Sequence, residues 1–312
     1  MSVATSAAAV LPKRGRAAAI PPAERGRTRT AFLLLLPSLI GVVLFLVIPV
    51  IMVILLSLVR WNLLTPIQWV GLSNYVNIFR FDAFGHSLLV TAYYVILNIP
   101  VQTVLALGLA LLLNSKRSGS GLIRIIAVLP FLATPVAMGI VWNWFFAPTG
   151  IINQFLGHLG ITGPAWLSNS ATALPVVAFA NVWQYAGYNM LFFLAGLAAV
   201  PTALYEAAAL DGATKIQQFR RITLPLLRPT MLFVLVTGVI GSFQVFDTVY
   251  VMTAGGPGNS TQVANLNIYQ TAFSGFRIGE ASAMSVVLFL VILVITVAQF
   301  RYFSKRTTYE IA

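Results

Sequence analysis

Cysteine is absent from all 312 residues, which excludes disulfides, thiolate metal sites and a cysteine nucleophile. Charge is nearly as scarce. Only 8% of residues are charged and 59% are apolar, whereas a soluble domain carries roughly a quarter charged residues. Such a chain cannot solvate a globule of this size, so a bilayer is its natural solvent. The phosphate-cradling pattern G-x-x-x-x-G-K-[ST] is missing too, because Gly212-Ala-Thr-Lys215 has the wrong spacing. Any ATP that drives this protein is hydrolysed on another chain. No Ser-His-Asp order or paired carboxylate stands out among seven acids, and no catalytic residue is assigned. His86 and His158 are isolated in predicted external loops, where a solvated histidine is the simpler reading and no metal is expected.

What the chain does contain is long apolar runs. A helix needs about 20 apolar residues to cross the ~30 Å hydrocarbon core. Six stretches qualify: Ala31–Val59, Ser87–Leu113, Leu122–Phe146, Ala171–Val200, Thr230–Met252 and Ala281–Phe300. Pro37, Pro49, Pro100, Pro130, Pro135 and Pro175 fall inside these runs and are expected to kink them, as bundled membrane helices tolerate. The fold class is therefore all-α, an integral membrane protein with six transmembrane helices.

The formal net charge of +12 suggests a nucleic-acid binder until the charges are placed. They cluster between the apolar runs rather than on one polar domain, so no nucleic acid is expected as a partner. The basic tail 1–30 resembles a signal n-region, but the run after it is too long for a signal h-region and lacks a small-residue cleavage site. A disordered cytoplasmic tail ahead of an uncleaved first span fits better. The six-span region then covers 31–301, and 302–312 form a second cytoplasmic tail. Sixteen of the nineteen basic residues fall in the two tails, counting Arg301 with the second, in or beside the loop 114–121, and in the loop 201–229. Only Arg60, Arg80 and Arg277 fall on the other side, so the positive-inside rule puts both termini in the cytoplasm. Ser118 is expected inside, and Asn169 and Asn259 outside.

The loop 201–229 is unlike a short connector. Pro201 suits a first helical turn, the segment through Glu206, Ala207, Ala208 and Leu210 favours helix, and Asp211-Gly212 supplies a left-handed stop. Ile216 and Phe219 then sit at i and i+3 of a second short helix. The expectation is two short helices joined by a glycine elbow at the inner membrane face. Physical features alone favour an interfacial amphipathic hairpin that anchors the bundle.

The string Glu206-Ala207-Ala208, Asp211-Gly212-Ala213, Phe219, Ile222, Leu224 and Pro225 resembles the EAA loop of binding-protein-dependent ABC importers, ungapped and in register. Phe246-Asp247-Thr248-Val249-Tyr250, Gly255-Gly256-Pro257, Asn267–Phe273 and Val70-Gly71-Leu72-Ser73-Asn74-Tyr75 are similar to segments of the sugar-type permeases, of the maltose and glycerol-phosphate kind. The resemblance covers most of the chain beyond residue 30. It implies the permease subunit of an ATP-driven importer of a sugar or sugar-like solute in the bacterial cytoplasmic membrane. It also implies a heterodimer with a second permease, two cytoplasmic ATPase subunits that use the ATP, an extracytoplasmic solute-binding protein, and no cofactor on this chain. Glu206, Ala207, Ala208, Asp211 and Gly212 would then form the ATPase-coupling loop.

Asn181, Gln184, Tyr185 and Tyr188 lie at i, i+3, i+4 and i+7 of the fourth run, on one helical face. Polar groups are costly against lipid, so this face should look into the bundle or an aqueous cavity. Amides and phenols suit sugar hydroxyls, and they equally cross-brace helices. The family resemblance, in which this part of span four lines the translocation path, points to solute. Gly238, Gly241, Ser242 and Val245 share a face of the fifth run at a spacing that favours close packing. The same resemblance adds Ser242 to the candidate path. Asp247 reads as an acid that caps and solvates the outer end of its span. A proton- or sodium-coupled carrier would need ionisable groups near the midplane, which these runs lack. A membrane enzyme or channel scaffold, with the hairpin only structural, is the remaining rival.

Overall fold

The computed structural model describes residues 22–80, 83–114 and 119–304. The chain divides into two compact units at Met52–Val53, inside the first span rather than at its start. In the first unit, α1 (Pro22–Val42) runs into a π-turn (Val43–Val47) and on into α2 (Ile48–Leu56). The π-turn falls directly ahead of Pro49, whose missing N–H leaves the carbonyl four residues back without its α-helical donor. Helix thus begins nine residues earlier than the expected tail boundary, with Pro22 at the first turn, where proline is tolerated. Residues 1–21 of the expected basic tail, Ser118, and 305–312 of the C-terminal tail lie outside the described residues.

The second unit opens with a two-residue antiparallel ladder, β1 (Val59–Arg60) with β2 (Gln68–Trp69). Next come α3 (Ser73–Arg80), α4 (Ala83–Leu113), α5 (Ser120–Leu132), α6 (Pro135–Phe145), α7 (Ile151–His158) and α8 (Ala173–Ala198). They are followed by α9 (Thr202–Leu210), α10 (Lys215–Gln218), a π-turn (Phe219–Thr223), α11 (Leu224–Leu226) and α12 (Arg228–Phe243). The chain closes with α13 (Asp247–Met252), α14 (Ala264–Tyr269), a π-turn (Gln270–Ser274) and α15 (Ile278–Ser304).

Three spans are single long helices: Phe32–Leu56, α4 and α15. Three more arise when bent pairs are taken together: α5 with α6 at 97°, α8 with α9 at 66°, and the Lys215–Leu226 segment with α12 at 64°. The 26 residues of α8 reach about 39 Å at 1.5 Å per residue, long enough to span unaided. Six spans are therefore present, two of them broken where the sequence reads as continuous.

The third was expected as one kinked run, Leu122–Phe146. Instead α5 ends at Leu132 and α6 starts afresh at Pro135, with Thr134 as its N-cap and Thr134 Oγ1 accepting from the Ala137 N–H at 3.3 Å. Pro130 in the last turn of α5 and Pro135 at the first position of α6 together make a corner, not a bend. The fifth was expected as Thr230–Met252. Helix α12 stops at Phe243, Gln244–Phe246 are irregular, and α13 resumes at Asp247. Asn265 Nδ2 donates to the freed Gln244 carbonyl at 2.8 Å, satisfying backbone that a membrane would otherwise leave bare. Both histidines also differ from expectation, lying on helices rather than in loops. His86 sits in the first turn of α4 and His158 in the last turn of α7.

Helix α8 occupies the middle of the second unit, with α4 and α5 packed along it, while α12 packs on α4 and α15. Gly187 is what lets α5 come so close, since a Cβ there would overlap the Ala127 carbonyl. Three apolar clusters hold the bundle. One gathers around Tyr94, Trp142 and Val249, a second around Phe84, Phe243 and Leu288, and a third around Ala106, Met190, Phe193 and Leu227.

Candidate functional site

A cleft opens between α8 and the broken fifth span. Helix α8 supplies Asn181, Tyr185, Tyr188 and Asn189, and α12 supplies Thr237, Gly238, Gly241 and Ser242. Gln244, Val245, Phe246, Asp247 and Thr248 line it from the break and from the first turn of α13, and Gln102 reaches it from α4. Its volume is about 230 Å³, below the roughly 300–1,000 Å³ of a complete small-molecule site.

The helical face predicted on span four is thus brought together, with one exception. Gln184 is buried (2% exposed) and donates through Nε2 to the Ala133 carbonyl at 3.0 Å. It clamps the corner between α5 and α6 and does not line the cleft. At i+3 it lies on the flank of the face that α5 covers, so spacing alone misassigns it. The two tyrosines are ordered by neighbours. Phe131 stacks on Tyr188 at 4.0 Å between ring centroids and meets Tyr185 edge-on at 5.6 Å. Asn181 and Ser242 are joined from beneath by Asn98, whose Nδ2 lies 3.0 Å from Asn181 Oδ1 and 2.9 Å from Ser242 Oγ.

On α12 the glycines divide. A Cβ on Gly238 would meet Ile99 Cδ1 at 3.0 Å, the close packing expected from the sequence, whereas one on Gly241 would meet nothing within 4 Å. Gly241 therefore opens space beside Ser242. Asp247 was expected to cap and solvate a helix end. It does begin α13, and it also stands in the cleft wall as the one charged side chain there. The aromatic and amide lining supplies donors, acceptors and flat apolar surface together, which is the chemistry that hydroxyl-bearing rings require.

The second feature is the hairpin α9–α10. Helix α9 carries Glu206, Ala207 and Ala208, Asp211 follows its last turn, and Gly212 turns left-handed at φ +74°. No atom lies within 4 Å of a Cβ built on Gly212, so its conformation and not crowding demands glycine. Thr214 caps α10 in a reciprocal box: its Oγ1 accepts from the Gln217 N–H, and Gln217 Oε1 accepts from the Thr214 N–H. The Thr-x-x-Gln spacing was the available signal for that cap. Tyr205 OH meets Thr223 Oγ1 at 2.9 Å, tying the hairpin to the following π-turn. Its outer side is bare: Leu210 is 90% and Ile216 69% exposed.

Asn98, Gln102, Asn189 and the cleft position of Asp247 were missed. Asn98 and Gln102 are the two amides of the second run, four residues apart, a signal available but not specific.

Residues 102–309 match the family described as the inner membrane component of binding-protein-dependent transport systems. The chain is 37% identical over 279 residues to the probable ABC transporter permease protein YesP of Bacillus subtilis, covering 88% of this chain and 90% of that one. It is 33% identical over 274 residues to the trehalose/maltose transport system permease protein MalF of Thermococcus litoralis, with 86% and 92% covered. Among solved structures, a chain of a bacterial alginate ABC transporter, in complex with a periplasmic protein bound to an alginate pentasaccharide, superposes with a TM-score of 0.80. Identity there is 25%, over 92% of this chain and 99% of that chain. Matched over two thirds of its length by the family and nearly end to end by its permeases, the chain belongs to the binding-protein-dependent transport family as a membrane permease subunit of an ABC importer.

Proposed function

We propose that this permease carries a sugar or sugar-like solute inward across the cytoplasmic membrane, and that the cleft between α8 and the broken fifth span is its half of the path. The observation that carries the reading is the cleft wall itself. Amides, hydroxyls, two phenols held against Phe131 and a carboxylate converge between membrane-spanning helices, where polar groups facing lipid would be costly. The names of the relatives agree in kind, since they include a trehalose/maltose permease and an sn-glycerol-3-phosphate permease.

The rest of the machine is proposed from the family to which the chain belongs. It has no phosphate-binding loop, and two cytoplasmic ATPase subunits, as the family resemblance implies, would supply the energy. Glu206, Ala207, Ala208, Asp211 and Gly212 on the exposed hairpin form the surface these subunits grip. A second permease closes the other wall of the cleft as a heterodimer, and an extracytoplasmic binding protein delivers the solute. This chain binds no cofactor. The sixteen-to-three split of basic residues places both termini in the cytoplasm.

The test is reconstitution of the chain in proteoliposomes with its partner permease, ATPase pair and binding protein. ATP hydrolysis should rise when the binding protein is loaded from a panel of sugars and not from amino acids. Stimulation by an amino acid and by no sugar would overturn the assignment. Orientation is tested by single cysteines in a chain that has none: Asn169→Cys and Asn259→Cys should label from outside intact cells, and Ser118→Cys should not. Outside labelling at residue 118 would overturn the topology.

A further inference from the structure

Asn98 is fully buried in α4 and does not line the cleft, yet both of its bonds go to residues that do. Its Nδ2 donates to Asn181 Oδ1 on α8 at 3.0 Å and to Ser242 Oγ on α12 at 2.9 Å. An amide nitrogen has two hydrogens, so both are spent on cleft residues from two other helices. Its own Oδ1 is buried and finds no hydrogen-bond partner among the described residues. A bare buried acceptor is costly, and an apolar side chain of similar size would avoid that cost. What the position gains from asparagine is its pair of donors.

Those donors fix what the neighbours present. With Oδ1 of Asn181 occupied from beneath, its NH₂ is the end left for the cleft. With the oxygen of Ser242 accepting from Asn98, its O–H is left to donate. We infer that Asn98 is a positioning residue that sets the hydrogen-bonding polarity of the solute path, holding Asn181 and Ser242 as donors toward oxygen atoms of the solute. The inference rests on the cleft being that path. The solute class it selects is one rich in oxygen acceptors, with hydroxyl, ring or glycosidic oxygens facing this wall.

The experiment measures uptake by the complete transporter, using whichever of maltose, trehalose, cellobiose or sucrose the wild-type complex carries. Variants are Asn98→Leu, Asn98→Thr, Asn181→Ala, Ser242→Ala and the doubles with Asn98→Leu, and assembly is followed by co-purification of the four-part membrane complex. Asn98→Leu fills the space without donors and should lower uptake on the order of 10- to 100-fold. Asn98→Thr keeps one hydroxyl donor in a smaller side chain and should retain more uptake than Asn98→Leu. A packing role reverses that ranking, because leucine fills the volume better. In the Asn98→Leu background, Asn181→Ala and Ser242→Ala should cost little further, as expected for residues acting through one network.

Uptake by Asn98→Leu equal to or above that of Asn98→Thr, full additivity of the doubles, or failure of both Asn98 variants to assemble would each overturn the inference. If Asn181→Ala and Ser242→Ala each transport at the wild-type rate, the cleft is not the path, and the functional proposal falls with the inference. If they are impaired while Asn98→Leu adds in full, the inference alone falls.

Discussion

The cleft and the hairpin invert the usual arrangement of polarity in opposite senses. In the cleft, amides, hydroxyls and a carboxylate sit between helices made to face lipid. On the hairpin, Leu210 and Ile216 stand almost bare in a loop flanked by Lys215, Arg220 and Arg221. Each is unfavourable in its own solvent. The two are built differently. Cleft residues are braced from behind, by Phe131 against both tyrosines and by Asn98 against Asn181 and Ser242. The hairpin instead holds its shape with local devices, the Gly212 turn and the Thr214 capping box, and leaves its outer face free. The cleft wall is stiffened from outside itself, whereas the hairpin is rigid through its own local devices and exposed.

That contrast breaks first at the hairpin. Gly212→Val forces a β-branched residue to positive φ, and Glu206→Lys reverses the charge on the exposed face. Both variants should reach the membrane in normal amount and show uptake at background, with solute-stimulated ATP hydrolysis of the reconstituted complex lost. Full stimulation in both would reduce the hairpin to an anchor. At the cleft the effect should be smaller. Asn181→Ala and Tyr188→Ala each remove one or two contacts to solute and should lower uptake by about ten- to a hundredfold, with the complex still co-purifying. Normal uptake, or loss that merely follows loss of complex, would mean these residues brace the bundle.

The smallest effect sharpens the line between the two roles within a single helix. Gln184→Leu removes the bond to the Ala133 carbonyl and should cost roughly 1–3 kcal/mol of stability, seen as earlier thermal unfolding of the purified complex. Apparent affinity for the solute-loaded binding protein should stay at the wild-type value. A changed affinity with unchanged unfolding would return Gln184 to the path.

The six spans and the hairpin were legible because hydropathy and helix-stop chemistry are local. Residue spacing also placed Asn181, Tyr185 and Tyr188 on one face. Three things were not. The gap at Gln244–Phe246 hides in a run whose hydropathy stays high through Val245 and Phe246, and its stabilising partner Asn265 comes from a different segment. Gln184 shares the helical period of its neighbours, and only the position of α5 decides which way it faces. Asn98 meets partners 83 and 144 residues away, a juxtaposition that no window of sequence contains.

The bend at Leu227 gives the molecule a crank. Leu227 is wholly buried, and α12 runs on from Arg228 without a break as far as Phe243. From Arg228 to Ser242 the helix advances about 21 Å at 1.5 Å per residue. A rod of that length tilted by about 5° at its buried end sweeps its far end through roughly 2 Å, more than half the length of a hydrogen bond. Ser242 and Gly241 lie near that far end, just ahead of the irregular Gln244–Phe246 segment that separates α12 from α13. If the cleft is the solute path, a small angular displacement at Leu227 would be magnified there into making or breaking single contacts with the solute.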